Sequence, residues 1–308
     1  LGMHELRGGQ SGLGPFQWDT FLDTPPDEAR YEDAGFVVLS IPFDGTTSFR
    51  SGARDGPSAI IAASGQLEDY DIELGVDISL AGIHTVPELV PNLSSMDALF
   101  GQVDRLTTQV ISDGKIPALL GGEHTVSIGA VTALARRYPD IAVLYLDAHG
   151  DLRDEYMGTR WGHASVARRL MEICPVTHAG VRSLSAEEHR FIADESLNVN
   201  LWPPNSSMDE YARAIIDDLP STIYVSIDLD VLDPSIMAAV GTPEPDGMLW
   251  QDLAHVLRLV CEAKRVVGFD LVELAPAEGP EACAYTAAKL TYKLMGYIST
   301  LMPRLGAC

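Results

Sequence analysis

The sequence predicts an α/β fold of three layers, in which a central, mostly parallel β-sheet is covered by helices on both faces. Short apolar runs recur along the chain and are separated by longer amphipathic stretches, a pattern typical of alternating strands and helices. No linker, low-complexity block or internal repeat interrupts the series. The chain has 308 residues, 46% of them hydrophobic, and is therefore long enough for one large domain with a full core.

The elements can be assigned in chain order. Residues 1–35 are rich in Gly, Pro and acidic side chains, and we expect them to form an irregular N-terminal arm that is part of the same domain. Residues 36–308 then form the main body of that single domain. Strands are predicted at 36–41, 116–120, 141–146, 223–227 and 266–271. Helices are predicted at 94–111, 126–137, 208–218, 250–262 and 282–302.

The charge balance excludes two classes of partner. The chain has 44 Asp and Glu against 21 Lys and Arg, which gives a formal net charge of -23. Such a surface repels phosphate backbones and anionic lipids, so we expect neither nucleic acid nor a membrane as a partner. The charge is compatible with attraction of a cationic substrate, and equally with a soluble or salt-adapted surface that attracts nothing in particular.

The cysteines indicate a reducing compartment. Cys174, Cys261, Cys283 and Cys308 are far apart and form no Cys-x-x-Cys pair. The N-terminus lacks a basic segment followed by an apolar run, and no stretch approaches the roughly 18 apolar residues of a membrane span. The sequence therefore predicts a soluble, unexported protein of the cytoplasm.

Three ligand-type side chains follow the apolar run 141–146. Asp147, His149 and Asp151 are spaced by two residues, so in an extended segment they share one face and can converge on one point. In open parallel sheets, ligands bind at the carboxyl ends of the strands. The three side chains are thus predicted to lie where a binding site is expected.

Two other segments place ligand-type residues in similar positions. Asp228 and Asp230 follow the apolar run 223–227 with the same spacing, and His124 ends a Gly-Gly-Glu-His sequence that follows the run 116–120. Burying four carboxylates and two imidazoles together costs several kcal/mol per unpaired ion unless cations neutralise them. Two divalent ions would do so, and two ions about 3.5–4 Å apart share a water of lowered pKa that attacks an electrophilic carbon. The pattern predicts metal-assisted hydrolysis.

Three motifs together resemble one known family. They are Gly-Gly-Glu-His at 121–124, Asp-Ala-His-Gly-Asp at 147–151 and Ser-Ile-Asp-Leu-Asp-Val-Leu-Asp-Pro at 226–234. In this order they resemble the ureohydrolases, which include arginase, agmatinase, guanidinobutyrase and formiminoglutamase. The resemblance extends from about Phe36 to the C-terminus and implies an arginase-like fold, two Mn²⁺ ions per chain and the release of urea from a guanidino compound by a metal-bridging hydroxide. Other divalent metals stay open, because ligand type alone does not exclude Mg, Fe, Ni, Co or Zn.

The resemblance also implies which residues form the site. It implies that Asp147 and Asp228 bridge both ions. It assigns His124 and Asp151 to the first ion, and His149 and Asp230 to the second.

The resemblance implies catalytic roles for Glu273 and His163, in addition to Asp151. The carboxylate of Glu273 suits the planar guanidinium, which it can hold through paired hydrogen bonds. A histidine side chain has an ordinary pKa near 6.5, so His163 suits proton delivery to the departing amine.

The substrate we expect is agmatine, which would be converted to putrescine and urea in polyamine biosynthesis. Leu152-Arg-Asp-Glu-Tyr156 and Ser183 replace the residues with which arginase holds an α-amino acid head group, and Gly241-Thr-Pro-Glu244-Pro resembles the agmatinase segment. Asp154 and Glu155 suit the distal ammonium of agmatine. Three segments around the pocket mouth depart from the agmatinase pattern and bear on the substrate rather than on the chemistry: Pro245-Asp-Gly, 238–240 and Pro276-Ala-Glu-Gly.

Two alternatives remain open on the sequence. A guanidinobutyrase or another guanidino-acid ureohydrolase would need a basic residue in the pocket, for which Arg153 and Arg160 are candidates. A catalytically silent guanidino- or polyamine-binding protein is the alternative of another class. By resemblance the chain is also expected to form a homotrimer or homohexamer.

Overall fold

The computed structural model describes residues 18–303. Within them, the strands are β1 Phe36–Ile41, β2 Tyr70–Asp71, β3 Val76–Asp77, β4 Ile83–Thr85, β5 Ile116–Gly121, β6 Ala142–Leu146, β7 Val176–Val181, β8 Val199–Leu201, β9 Thr222–Asp228 and β10 Arg265–Val272. The α-helices are α1 Gly56–Ser64, α2 Met96–Ser112, α3 Ser127–Arg137, α4 Val166–Leu170, α5 Ala186–Asp194, α6 Met208–Asp218, α7 Trp250–Ala263 and α8 Ala282–Leu301.

Eight of these strands form one sheet in the order β4-β1-β5-β10-β9-β6-β7-β8. Every pairing in it is parallel. The five predicted strands are confirmed and form the centre of the sheet, because each is an apolar run buried on both faces. The strands β4, β7 and β8 were not predicted. β4 and β8 are three-residue edge strands, and β7 is interrupted by polar His178 and Gly180, so none of the three gives a long apolar signal.

The helices cover both faces of the sheet, as the three-layer prediction requires. One hydrophobic cluster joins the sheet to α1, α6, α7 and α8. A second cluster joins the opposite face to α2, α3 and α4, with Phe191 and Ile192 of α5 packed against it. All five predicted helices are present, with ends that shift by one or two residues where capping side chains such as Ser95 fix the first turn.

The N-terminal arm was predicted to be irregular rather than packed, and residues 18–35 correct that expectation in part. They contain two short 3₁₀ turns and pack against the chain's own core. Phe21 is buried beside Tyr292 of α8, and its backbone N–H donates a hydrogen bond to Thr85 Oγ1 at 2.9 Å. A single aromatic anchor in a polar segment gives no periodic signal. The prediction for residues 1–17 lies outside the described residues, as does Cys308.

The parallel register brings the ends of four central strands to the same level. Leu146 of β6 is paired with Ile227 of β9, which is paired with Leu271 of β10, which in turn is paired with Leu120 of β5. The residues that follow these four positions therefore emerge side by side at one edge. This edge carries all three sequence motifs.

Among residues 18–303, no helix combines the length and the apolar character needed to cross a membrane. Within the same residues, Cys174, Cys261 and Cys283 are buried and free, consistent with a chain that depends on no disulfide in this region.

A buried ion pair joins α8 to the β2–β3 hairpin, because Lys293 Nζ lies 2.8 Å from both carboxylate oxygens of Asp71.

We predict that Asp71→Asn lowers the free energy of unfolding by about 2–3 kcal/mol, because it leaves the partly exposed Glu73 as the remaining carboxylate beside the buried Lys293 ammonium. Burial raises the pKa of Asp71, but the hydrogen bond and charge of Lys293 outweigh burial and lower it below its ordinary value. The stabilisation is therefore present above the unfolded pKa of about 3.9 and is lost as the pH falls through the lower folded pKa. Urea denaturation at pH 7 and pH 3.5 measures both effects, with exposed Asp69→Asn as control. Equal stability of the two variants at pH 7 would contradict the prediction.

Candidate metal centre

The first group of ligand atoms surrounds the imidazole of His124. Its Nδ1 lies 3.2 Å from Asp147 Oδ2 and 3.2 Å from Asp228 Oδ2. All three residues are buried. Their ligand atoms lie within 4.8 Å of one another, which is close enough to hold one metal ion.

The second group shares Asp147 with the first. His149 Nδ1 lies 3.0 Å from Asp230 Oδ2 and 3.5 Å from Asp147 Oδ1. These three ligand atoms also lie within 4.8 Å of one another. A carboxylate with one oxygen in each group is the arrangement that two neighbouring ions require, so five of the six predicted ligands come together as two adjacent triads.

The sixth predicted ligand, Asp151, lies beside these triads rather than in either. Its backbone has a φ of 49°, so the extended run that would have aligned it with Asp147 and His149 is broken at this residue. The carboxylate instead accepts a hydrogen bond of 2.7 Å from the hydroxyl of Tyr145, which also lies 2.9 Å from His124 Nδ1. Its predicted roles as a ligand and in catalysis stay predictions.

Asp228 was predicted to bridge both ions. In the structure its carboxylate lies 3.2 Å from Nδ1 of His124, which belongs to the first triad. Its other oxygen accepts the backbone N–H of Asp230 at 2.9 Å, because the chain turns into a 3₁₀ helix directly after β9. Only Asp147 spans both triads in this geometry.

Hydrogen bonds from neighbouring strands fix which nitrogen of His124 faces the carboxylates. His124 Nε2 lies 2.8 Å from Ser226 Oγ, and that hydroxyl donates to the buried carboxylate of Asp270 at 2.7 Å. Because the Ser226 hydroxyl donates its hydrogen to Asp270, it accepts a hydrogen bond from His124. Nε2 of His124 therefore carries the ring proton. Nδ1 is then the free ligand nitrogen, and an outer partner of this kind fixes the ring and raises its basicity.

Two observations fit a cation at the shared carboxylate. Asp147 Oδ2 is buried and has no hydrogen-bond donor among the described residues. Burial raises the pKa of Asp147, but the neighbouring imidazoles of His124 and His149 outweigh burial and lower it. Burial followed by repulsion from neighbouring carboxylates raises the pKa of Asp228 well above its ordinary range. An ionised pair of carboxylates here therefore needs a positive partner, and the N and O donor set without thiolate suits Mn²⁺ and similar divalent ions.

Glu273 follows β10 at the same edge. Its φ of 69° turns the side chain towards His124, whose backbone N–H donates to Glu273 Oε1 at 2.7 Å. Burial, reinforced by repulsion from Glu123, raises the pKa of Glu273 well above its ordinary range. The residue lines the cavity beside the triads.

His163 lines the same cavity. Its Nδ1 is 2.8 Å from the backbone carbonyl of Thr46, and its Nε2 is 3.0 Å from Ser48 Oγ. A carbonyl only accepts, so Nδ1 carries the proton, and Nε2 is an acceptor for the Ser48 hydroxyl. Burial lowers the pKa of His163, which favours this neutral form near pH 7. The contacts with Thr46 and Ser48 were not predicted, because residues 46–48 carry no spacing signal linking them to position 163.

The cavity itself has a volume of about 160 Å³. The residues lining it are Ser48, His149, Asp151, Arg153, Tyr156, His163, Ala164, Ser183, Leu184, Ser185, Glu188, Asp228, Thr242 and Glu273. Neither acidic residue expected to meet a distal ammonium is among them. Asp154 pairs with the buried guanidinium of Arg169 at 2.6 Å, and Glu155 is exposed. Arg160 pairs with Glu172 outside the cavity, whereas Arg153 lines it.

Two residues outside the predicted set support the ligand loops. Arg182 donates to the backbone carbonyls of Asp230 at 2.7 Å and Glu244 at 2.8 Å, and so fixes the loop after β9. Gly122 allows the end of β5 to approach the neighbouring chain, because a Cβ there would lie 2.0 Å from the carbonyl oxygen of Phe43. A sequence signal exists for both, since each stands inside a motif, Gly-Val-Arg and Gly-Gly-Glu-His.

Comparisons with known proteins agree with this geometry. The model of the Arginase family matches residues 34–296. An N(1)-aminopropylagmatine ureohydrolase of Synechocystis sp. is 37% identical over 279 residues, which are 87% of this chain and 90% of that protein. An agmatinase of Pyrococcus horikoshii is 34% identical and covers 86% of this chain and 92% of its own. The crystal structure of agmatine ureohydrolase of Thermoplasma volcanium has a TM-score of 0.81 at 33% identity, covering 88% and 92% of the two chains.

We predict that Asp228→Ala removes a ligand from the first triad and leaves His124 without one of its carboxylate neighbours. The variant should bind at most one Mn²⁺ per chain at concentrations where the unchanged chain binds two. Metal analysis of dialysed protein measures the ratio. Asp217→Ala, on the exposed face of α6, is the matched control. Two tightly bound ions in Asp228→Ala would contradict the assignment of Asp228.

Proposed function

This chain belongs to the arginase family, a family of metal-dependent hydrolases that act on amidino C–N bonds, and on that premise we propose that it releases urea from agmatine or from an agmatine extended at its amine. The observation that carries the proposal is the pair of ligand triads sharing Asp147, with Glu273 and His163 on the cavity beside them. We propose Mn²⁺ for both triads, which would supply a water of lowered pKa as the nucleophile.

Glu273 would hold the guanidinium. One oxygen is fixed by the backbone N–H of His124, so the carboxylate cannot rotate freely. A guanidinium presents paired N–H donors in a plane, and it provides the positive partner that this buried carboxylate lacks. Binding at Glu273 therefore orients the guanidino carbon towards Asp147 and Asp228 and explains selection of a planar cation.

His163 would deliver a proton to the leaving amine. Its Nδ1–H is held by Thr46, so Nε2 is the atom that exchanges a proton with substrate. Ser48 donates to this nitrogen and also lines the cavity, so its hydroxyl connects Nε2 to the space that the substrate would occupy. A positioned acid–base group of this kind contributes about 10²–10⁴-fold to rate.

The agmatine skeleton is supported by the relatives. Three relatives with 34–37% identity are named agmatinase or N(1)-aminopropylagmatine ureohydrolase. Both substrates have a guanidinium at one end and no carboxylate. Ser183 and His149 line the cavity, and both contact the side chain of Glu244: Ser183 donates to Glu244 Oε1 at 3.0 Å, and His149 Nε2 lies 4.0 Å from the same oxygen. Glu244 is thus the acidic group that we assign to the distal ammonium, in place of Asp154 and Glu155.

Urea release by the Mn²⁺-loaded protein tests the proposal. Agmatine, N(1)-aminopropylagmatine, L-arginine, 4-guanidinobutyrate and guanidinoacetate are compared, with metal content measured on the same sample. We expect kcat/KM for one of the two agmatine compounds to exceed that for L-arginine by at least about 10²-fold, since residues 152–156 and Ser183 replace the residues with which arginase holds an α-amino acid head group. No urea from any compound at two metals per chain would contradict the proposal and favour a silent binding protein.

A second candidate is a guanidino-acid ureohydrolase, and one observation favours it. Arg153 lines the cavity and stacks over the ring of Tyr156 at 4.8 Å, so a guanidinium is available to a substrate carboxylate. The acidic side chain next to it, Asp154, is engaged by Arg169 and does not neutralise Arg153.

We predict that Arg153→Met separates the two candidates. For an agmatine substrate, removal of this positive charge should leave kcat/KM unchanged or raise it by a few-fold. For 4-guanidinobutyrate, loss of the carboxylate partner should lower it by roughly 10- to 100-fold. Steady-state urea release on both substrates measures the ratio, with Arg160→Met, whose side chain pairs with Glu172 outside the cavity, as control. A loss of agmatine turnover alone would contradict both assignments.

We also predict different kinetic effects for substitutions of His163 and Glu273. His163→Ala should lower kcat by about 10²-fold or more with two metals retained. Glu273→Ala should chiefly impair substrate binding and positioning, seen as a raised KM and a reduced kcat, with the metals also retained. Steady-state kinetics and metal analysis on the same preparations measure both effects. Metal loss in His163→Ala, or unchanged kinetics in Glu273→Ala, would remove that residue from its assigned role.

A further inference from the structure

Thr46 lies between a buried carboxylate and the imidazole of His163. Its backbone N–H donates to Glu123 Oε2 at 2.7 Å, and its hydroxyl donates to Glu123 Oε1 at 2.6 Å. On its other side, the carbonyl of Thr46 accepts His163 Nδ1–H at 2.8 Å, and Thr46 Oγ1 accepts the backbone N–H of His163 at 3.1 Å. One residue therefore makes two bonds to Glu123 and two to His163.

We propose that Thr46 is a positioning residue that fixes the tautomer and orientation of His163, with Glu123 as its anchor. The proposal rests on the proposed function, because it takes the His163 imidazole as the group that handles the proton. It also gives a task to Glu123, the one residue between Gly122 and His124 that contributes to neither triad.

The anchor is rigid. Glu123 is fully buried, and its carboxylate also accepts the hydroxyl of Thr125 at 2.6 Å. Its backbone N–H donates to the carbonyl of Phe43 at 2.7 Å, so the end of β5 and the segment before Thr46 are held together. A carboxylate that accepts three hydrogen bonds cannot reorient without losing one of them.

Replacing the hydroxyl of Thr46 by an apolar group would remove one hydrogen bond to Glu123 and one from His163. The hydroxyl hydrogen is committed to Glu123, and its lone pair accepts from the backbone of His163, so both capacities are used. Valine has the same shape and neither capacity. Serine keeps both, which gives a matched pair of substitutions at this position.

The same short segment also serves the other nitrogen of His163. Ser48, two residues after Thr46, donates to Nε2 at 3.0 Å. A shift of residues 46–48 would therefore move both partners of the imidazole at once. A misplacement of about 1 Å in a reacting group costs on the order of 10²-fold in rate.

The test compares Thr46→Val, Thr46→Ser, His163→Ala and the double variant Thr46→Val/His163→Ala as Mn²⁺-loaded enzymes, on whichever guanidino substrate the unchanged chain turns over. We expect Thr46→Val to lower kcat by about 10- to 100-fold with KM changed less than about threefold and two metals per chain. Thr46→Ser should restore kcat to within about threefold. In the His163→Ala background, Thr46→Val should have no further effect, because its action passes through His163.

Thr108→Val is the control for the substitution itself, since Thr108 Oγ1 bonds Asp104 and Arg136 at the surface, away from the site. It should leave kcat unchanged. Where Thr46→Val does not fold, Thr46→Ala carries the same comparison, because it also lacks the hydroxyl.

Three outcomes would overturn the proposal. They are unchanged kcat in Thr46→Val, an equal loss with and without His163, and metal loss in both the Val and Ala variants, which would make Thr46 a support of the ligand loop. Failure of the proposed function is recognised separately, by absence of urea from the unchanged chain or by a normal kcat in His163→Ala.

Discussion

Several acidic side chains buried at one edge of a parallel sheet must be neutralised, and the architecture of the site follows from that requirement. Asp147, Asp228 and Asp230 lie within reach of two imidazoles, and the carboxylate of Asp147 is common to both groups. These carboxylates are buried, so the free energy of leaving such charges unpaired exceeds what local hydrogen bonds recover. Divalent cations resolve the imbalance, and membership of a metal-dependent family agrees with it.

The residues around the triads lie either at strand ends or in the loops beyond them. At the strand ends, hydrogen bonds between adjacent strands hold the imidazole of His124, through Ser226 and Asp270. Beyond them, the loop after His149 is held by the ion pair between exposed Asp154 and the buried guanidinium of Arg169. Chemistry common to a family is therefore placed on strand ends, and discrimination between substrates is left to loops that can change without disturbing the sheet.

The sequence predicted the fold, the edge of the sheet and five of the ligand positions in the triads, because apolar runs and short motifs are local signals. Other positions depend on backbone geometry or on contacts that spacing does not encode. Asp151 follows the spacing rule but has a positive φ and lies beside the triads, so its ligand role stays a prediction, and Asp230 joins the second triad through a 3₁₀ turn rather than an extended strand. The ion pair of Asp154 with Arg169 is likewise not encoded in the spacing, since it joins the loop after His149 to α4.

The ligand triads have a consequence for assembly of the chain. Their members come from the ends of β5, β6 and β9, so His124 and Asp228 are separated by 104 positions in sequence. An unfolded chain has no means of holding these groups together, and a bound ion acts as a cross-link that exists only in the native state. Metal concentration then sets the midpoint of thermal unfolding, because each ion stabilises the native state by RT ln(1 + [L]/Kd). In a cell, scarcity of the ion would therefore lower the amount of folded protein as well as its activity.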